Sequence, residues 1–118
     1  MPPSGEPGVL TGVAASRGVV TGVARVILSP SDAGRLQPGE ILVTRATDPG
    51  WTPAFSVIGG AVLEMGGLLS HGAIVAREYG LPAVVNVAGA TRELRDGDRV
   101  EVDGTNGRVR RVGGRGSD

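Results

Sequence analysis

Ala61-Val62-Leu63-Glu64-Met65-Gly66-Gly67-Leu68-Leu69-Ser70-His71-Gly72-Ala73-Ile74-Val75-Ala76-Arg77-Glu78-Tyr79-Gly80-Leu81-Pro82-Ala83-Val84-Val85 is the stretch that decides the fold. Ala61 to Leu63 is a short continuous apolar run followed by a glycine turn. Ser70 is placed to cap a helix from His71 to Tyr79, Gly80 and Pro82 end it, and Ala83 to Val85 is again continuously apolar. Such runs suit strands covered on both faces, so the stretch reads as strand, helix, strand with the two strands parallel. Upstream, Ile41-Leu42-Val43-Thr44 is a third run of this kind, and Thr52-Pro53 offers a cap followed by proline at the first position of another helix. From about Ile41 to Val87 the alternation predicts an α/β fold with right-handed crossovers and a parallel central sheet.

The flanking segments read differently. Val19 to Leu28 alternates loosely, with Gly22 in the middle, and predicts one long strand. Arg99 to Asp103 and Arg108 to Val112 alternate around Gly104-Thr105-Asn106-Gly107, a hairpin signal. The long strand is expected to join that hairpin in a smaller, antiparallel sheet. Residues 1–8 are rich in Pro and Gly and residues 113–118, Gly113-Gly114-Arg115-Gly116-Ser117-Asp118, cannot form a packed element, so both are expected to be flexible tails around one domain at 9–112. No internal repeat is visible.

Composition narrows the function. With 40% apolar and only 3% aromatic residues, the core must be built from Val, Ile, Leu and Ala around many glycines. Twelve basic residues, all arginine, balance twelve acidic ones, which argues against a nucleic-acid or anionic-membrane partner. The absence of cysteine removes disulfides, thiolate nucleophiles and sulfur-ligated metals. A single histidine beside no cysteine argues against a three-ligand catalytic metal, so no metal site is expected. The amino terminus lacks a cationic start followed by an apolar run, and no segment approaches membrane-spanning length. A soluble, cytoplasmic protein is therefore expected.

The one histidine, His71, follows a buried strand and opens a helix at the carboxyl edge of a parallel sheet, where open α/β folds bind ligands. Backbone N–H groups at the helix start and the positive end of its dipole favour a phosphate dianion. Gly66, Gly67 and Gly72 remove side chains that would keep backbone from a phosphate. The same dipole disfavours imidazolium, leaving a ring nitrogen able to attack phosphorus. The plainer reading is a polar residue on the first turn of an exposed helix.

Gly66-Gly67, Ser70-His71, Ala73-Ile74-Val75-Ala76-Arg77-Glu78 and Gly80-Leu81-Pro82-Ala83-Val84-Val85 together closely resemble the phosphohistidine signature of phosphoenolpyruvate-utilising enzymes. Thr47-Asp48-Pro49-Gly50-Trp51-Thr52-Pro53 and Gly89-Ala90-Thr91 to Asp96-Gly97 also look like that family, and the resemblance extends from about Leu10 to Val112. Members include pyruvate phosphate dikinase, phosphoenolpyruvate synthase, enzyme I of the sugar phosphotransferase system and rifampicin phosphotransferase. The resemblance implies a three-layer β/β/α swivelling domain. It also implies a histidine phosphorylated on its ring, which travels between an ATP-grasp-like nucleotide-binding domain and an acceptor-binding domain, in cis or in trans. Familiar members carry a hydroxyl residue two positions before the histidine and a small Ala, Ser or Thr after it. Here these positions are Leu69 and Gly72, with Ser70 as a substitute hydroxyl, a pattern more like rifampicin phosphotransferases and synthase-like relatives. A non-catalytic swivelling or binding module that keeps the fold without carrying phosphate is the competing reading.

Among supporting residues, Arg45 and Thr47 follow a neighbouring strand to the edge where His71 is expected, and Arg is the planar donor suited to a phosphoryl group. Asp48-Pro49-Gly50 also reads as a plain turn. Arg77, six positions after His71, lies on another helical face and fits an ion pair better than a phosphate contact. Trp51 suits either partner docking or the core. Glu64 could orient the imidazole, bond the glycine turn or sit solvated at a strand end. The buried stripe of the motif helix stays open, with Ile74, Val75 and Glu78 on the side of His71 and Ala73 and Ala76 elsewhere. Without a Gly-x-x-x-x-Gly-Lys loop the chain is expected to bind no cofactor itself, ATP and Mg2+ belonging to a partner domain.

Overall fold

The computed structural model describes residues 8–112. The expected tails at 1–7 and 113–118 lie outside the described residues; Gly8, grouped with the first tail by sequence, accepts a 3.0 Å hydrogen bond from Arg111 N. In chain order the elements are β1 (Val9–Thr11), β2 (Val13–Ser16), β3 (Val19–Val26), a 3-10 helix (Pro30–Arg35), β4 (Ile41–Thr44) and a second 3-10 helix (Pro49–Ser56). There follow β5 (Gly60–Leu63), α1 (His71–Tyr79), β6 (Ala83–Val85), α2 (Ala90–Glu93), β7 (Arg99–Asp103) and β8 (Arg108–Arg111).

Strand order is β1-β8-β7-β3-β4-β5-β6-β2. The core of the central sheet is parallel, β3 with β4, β4 with β5 and β5 with β6. The second sheet is antiparallel, as the hairpin predicts. Two features correct the sequence expectation. β3 serves both sheets: residues 19–23 run antiparallel to β7 and residues 24–26 run parallel to β4. The change of partner occurs beside Gly22, where a Cβ would lie 2.9 Å from the Gly39 carbonyl oxygen. In addition, the central sheet is not purely parallel, because β2 adds an antiparallel edge to β6. That Gly- and Ala-rich segment has weak strand propensity and is fixed by its surroundings.

Alternation along β4, β5 and β6 separates two cores. Leu42, Ala61, Leu63, Ala83 and Val85 face Trp51 and Phe55 and the α1 residues Ala73, Val75 and Ala76. Ile41, Val43, Val62 and Val84 face Val100, Val102 and Val109 of the antiparallel sheet. The result is a β/β/α sandwich whose middle sheet is covered on both sides, which explains its unbroken apolar runs. The buried stripe of α1 is thus Gly72, Ala73, Val75 and Ala76, four positions within about one helical turn. Trp51, at 4% exposure, is core and not a docking side chain.

The β7–β8 turn packs directly on β2. Gly12 N donates to Gly107 O at 2.9 Å, and at Gly104 a Cβ would lie 1.8 Å from Ser16 O. Away from the histidine, Arg25 grips Glu40 through Nε–Oε1 at 3.1 Å and Nη2–Oε2 at 2.6 Å. Asp96 accepts from Val26 N at 2.6 Å and from Arg35, tying the first 3-10 helix to the segment before β7.

The helix expected to begin at Thr52-Pro53 begins earlier. Asp48 Oδ1 accepts from Gly50 N at 2.9 Å and Pro49 takes the first position. With Pro53 inside, where it supplies no N–H to the preceding turn, the segment winds as a 3-10 helix.

Candidate functional site

β4 and β5 deliver the site. Their pairing continues past the strand ends, with Glu64 N donating to Thr44 O at 3.0 Å and Met65 N to Arg45 O at 2.9 Å. The two chains then part, one towards Thr47 and the second 3-10 helix, the other through the glycine turn to α1. His71 is the first residue of α1 and is half-buried between these two paths. Its Nδ1 and the Thr47 hydroxyl share a 2.8 Å hydrogen bond, and its Nε2 lies 3.4 Å from the Thr52 hydroxyl. Phe55 meets the imidazole edge-on, with ring centroids 6.2 Å apart and planes at 79°. The ring is held at three points without being enclosed.

Gly72 makes this closeness possible. A Cβ there would lie 2.3 Å from Leu63 Cδ1 and 2.9 Å from Thr47 Oγ1, so the missing side chain is space already taken by those two residues. This is a packing reason, additional to the approach to phosphate that the sequence suggests. Gly66 adopts φ +110°, and a Cβ would meet Ser70 Oγ at 2.8 Å, whereas the space beside Gly67 is open. Ser70 occupies the N-cap position but makes no side-chain cap; its hydroxyl donates to Gly67 O at 2.8 Å. The helix start therefore keeps its first-turn N–H groups without a serine acceptor.

Arg45 is exposed just past β4, on the histidine's edge of the sheet. Arg77, expected to form an ion pair, instead donates to two backbone carbonyls, Ala15 O at 2.8 Å and Leu68 O at 2.6 Å, joining β2 to the loop before His71. Glu64 does not orient the imidazole. It accepts from Thr91 N at 2.7 Å and from the Thr91 hydroxyl. That hydroxyl bond, with the Thr91 backbone N–H and the charges of Arg45 and Arg92, outweighs burial and holds the Glu64 carboxyl below its ordinary range. Thr52 and Phe55 as neighbours of the ring escape sequence reasoning, because only the unforeseen 3-10 winding from Pro49 turns both towards α1. Among the described residues there is no cluster of three or more His, Cys, Asp or Glu able to hold a metal, and no helix is long and apolar enough to cross a membrane.

Comparison with known proteins bears on this geometry. The family described as PEP-utilising enzyme, mobile domain, matches residues 36–107, from before β4 through the β7–β8 turn. A rifampicin phosphotransferase of Bacillus cereus is 57% identical over 100 residues, covering 85% of this chain and 11% of the relative. A phosphoenolpyruvate synthase of Aeropyrum pernix is 44% identical over 108 residues, covering 91% of this chain and 13% of the relative. The chain thus spans only about an eighth of the length of such relatives. The solution structure of an Enzyme I protein superposes with a TM-score of 0.60 at 31% identity, over 69% of this chain and 34% of that one. The matched residues 36–107 take in β4, β5, α1 and the histidine that opens it, and the chain belongs to the mobile-domain family of phosphoenolpyruvate-utilising enzymes.

Proposed function

We propose that His71 is a phosphoryl carrier and that Nε2 is the atom that bears the group. The observation that carries this reading is the asymmetric hold on the ring: Nδ1 is engaged by Thr47 at 2.8 Å, while Nε2 has only the longer 3.4 Å contact to Thr52. With Nδ1–H donating to Thr47, the lone pair sits on Nε2. Nε2 attacks phosphorus, an N–P bond forms, and the bond from phosphorus to the donor oxygen breaks with its electron pair leaving on that oxygen. In the second half, an acceptor oxygen attacks, loses its proton, and the N–P bond breaks to restore the imidazole.

First-turn N–H groups of α1, left without a serine cap, suit the phosphoryl oxygens, together with Ser70, Gly72 and the Gly66-Gly67 turn. Arg45 and Thr47 on the same edge are the supporting cation and hydroxyl. The donor, a nucleotide or phosphoenolpyruvate, is held by a partner domain of ATP-grasp type, which also holds Mg2+. This chain carries no lysine-bearing phosphate loop for either. The acceptor is a small molecule held in a further domain; the relatives' names point to an antibiotic hydroxyl or to pyruvate chemistry. A donor of this kind supports a cytoplasmic location for the chain.

Incubation with phosphoramidate, followed by phosphorus NMR, tests the reading. An acid-labile adduct in wild type that is missing in His71→Ala is the expected result. Identical behaviour of the two, with phosphoramidate and with authentic partner domains, leaves a non-phosphorylated binding module instead.

A further inference from the structure

The β7–β8 turn ends in Asn106-Gly107, a pair with chemistry of its own. The backbone nitrogen that follows an asparagine can attack the side-chain amide carbon and close a cyclic imide. Glycine hinders that approach least, because it has no side chain. Here glycine is obligatory: Gly107 has φ +74°, and a Cβ would lie 2.6 Å from Gly12 O and 3.1 Å from Ala14 N. The reactive pair is instead restrained by Asp103. The Asp103 carbonyl accepts from Gly107 N at 2.9 Å, so the attacking nitrogen is occupied. Oδ2 accepts from Asn106 Nδ2 at 2.9 Å, which anchors the target amide. Oδ1 accepts from Asn106 N at 3.0 Å and Thr105 N at 3.1 Å, fixing the backbone before it. These bonds, that of the Asn106 side chain foremost, join the charge of Arg108 to outweigh burial and hold the Asp103 carboxyl below its ordinary range. The clasp is thus an ionised carboxylate at neutral pH, and Asn106 itself is exposed to water.

The turn also holds the segment that contains β2. Gly107 O accepts from Gly12 N at 2.9 Å, Thr105 Oγ1 from Gly18 N at 3.0 Å, and Gly18 O from Gly104 N at 2.8 Å. We propose that Asn106 is a site of self-modification gated by Asp103: when the clasp opens, Asn106 converts to aspartate and isoaspartate, and the isoaspartyl turn releases β2. Gly107 N attacks Asn106 Cγ, an N–Cγ bond forms, the Cγ–Nδ2 bond breaks, and the Gly107 proton leaves with the amide nitrogen as ammonia. Water then opens the imide. Addition at Cγ gives aspartate, whereas addition at the main-chain carbonyl gives isoaspartate, whose backbone runs through Cβ and Cγ. That backbone is longer by a methylene at a point where Gly107 has no slack against Gly12. The new carboxylate also sets a like charge where Asp103 had a donor. None of these steps draws on the chemistry of His71.

The test incubates the whole chain at mildly alkaline pH, folded and in guanidinium chloride, and follows the tryptic fragment from Val100 to Arg108 by mass spectrometry. Exchange of amide for carboxylate raises its mass, whereas Asp103-Gly104 in the same fragment can isomerise only without a change of mass. The mass gain is expected to be on the order of tenfold faster in the unfolded chain, and to quicken similarly in folded Asp103→Ala, which lacks the carboxylate's hydrogen bonds. Equal rates folded and unfolded, or no gain in either state, overturn the proposal, and this comparison decides it even if Asp103→Ala does not fold. Aged protein is then resolved by anion exchange. In its isoaspartyl form the Gly12 N–H is expected to exchange for deuterium on the order of tenfold faster. An unchanged rate there overturns the release of β2.

Discussion

Gly72→Ala tests how tightly the histidine's setting is built. The new methyl would lie 2.3 Å from Leu63 Cδ1 and 2.9 Å from Thr47 Oγ1. Carbon atoms in contact sit about 3.5–4.0 Å apart, so about 1.5 Å of movement must be found. Leu63, at 1% exposure, is enclosed by the helix-side core and cannot swing aside, so α1 must lift or Thr47 must retreat. Overpacking of this kind costs about 2–3 kcal/mol, while replacing a helical glycine by alanine regains about 0.5–1 kcal/mol, leaving a net loss of about 1–2.5 kcal/mol. For a domain of this size that lowers Tm by about 5–10 °C in a calorimetric scan. The same displacement pulls Thr47 from Nδ1, so phosphoramidate labelling of His71 slows in the same variant. A Tm within about 1 °C of wild type would refute the packing argument.

Thr47→Val keeps the shape but removes the hydrogen bond to Nδ1; labelling of His71 is expected to slow about tenfold with little change in Tm, the worth of one hydrogen bond, measured by phosphorus NMR time courses. Gly104→Ala places a methyl 1.8 Å from Ser16 O, where backbone faces backbone and neither side can yield, so the β7–β8 turn must leave β2 and stability falls by about 3 kcal/mol or more in urea titrations. The Arg25 guanidinium beside Glu40, aided by the Gln37 N–H and opposed by burial, holds that carboxyl below its ordinary range. A folded-state pKa below the unfolded one contributes stability that is fully present above the unfolded value, about 4.3, and is lost as pH falls through the folded value. Tm should therefore hold from pH 7 to about 5 and decline below, with a shallower decline in Glu40→Gln.

The parallel strands were legible because a strand covered on both faces can only be apolar throughout, and Ile41–Thr44, Ala61–Leu63 and Ala83–Val85 show that pattern undisguised. His71 was legible because it follows such a strand and opens a helix whose stop, Gly80, adopts the left-handed conformation at φ 69°. β1 and β2 were not, since Gly12, Ala14 and Ala15 carry little strand preference and take their form from the β7–β8 turn and from β6. The start of the second 3-10 helix was misplaced because two Pro-containing pairs compete, and Asp48-Pro49 wins by supplying both a capping carboxylate and a fixed φ. Ser70 looked like a cap and is not one, because the Gly66 turn brings the Gly67 carbonyl within reach of its hydroxyl first.

β1 and β8 run side by side, with Arg111 N on Gly8 O at 3.0 Å and Val112 N on Arg99 O at 2.9 Å. Gly8 and Val112, the first and last residues described, therefore sit side by side at a single corner. A unit gripped at neighbouring ends can be turned about that corner with no internal bond strained, since β3 stitches both sheets into one piece. Such a turn would ask nothing of the interior, and the hold of Thr47 and Thr52 on the imidazole would pass through it unchanged.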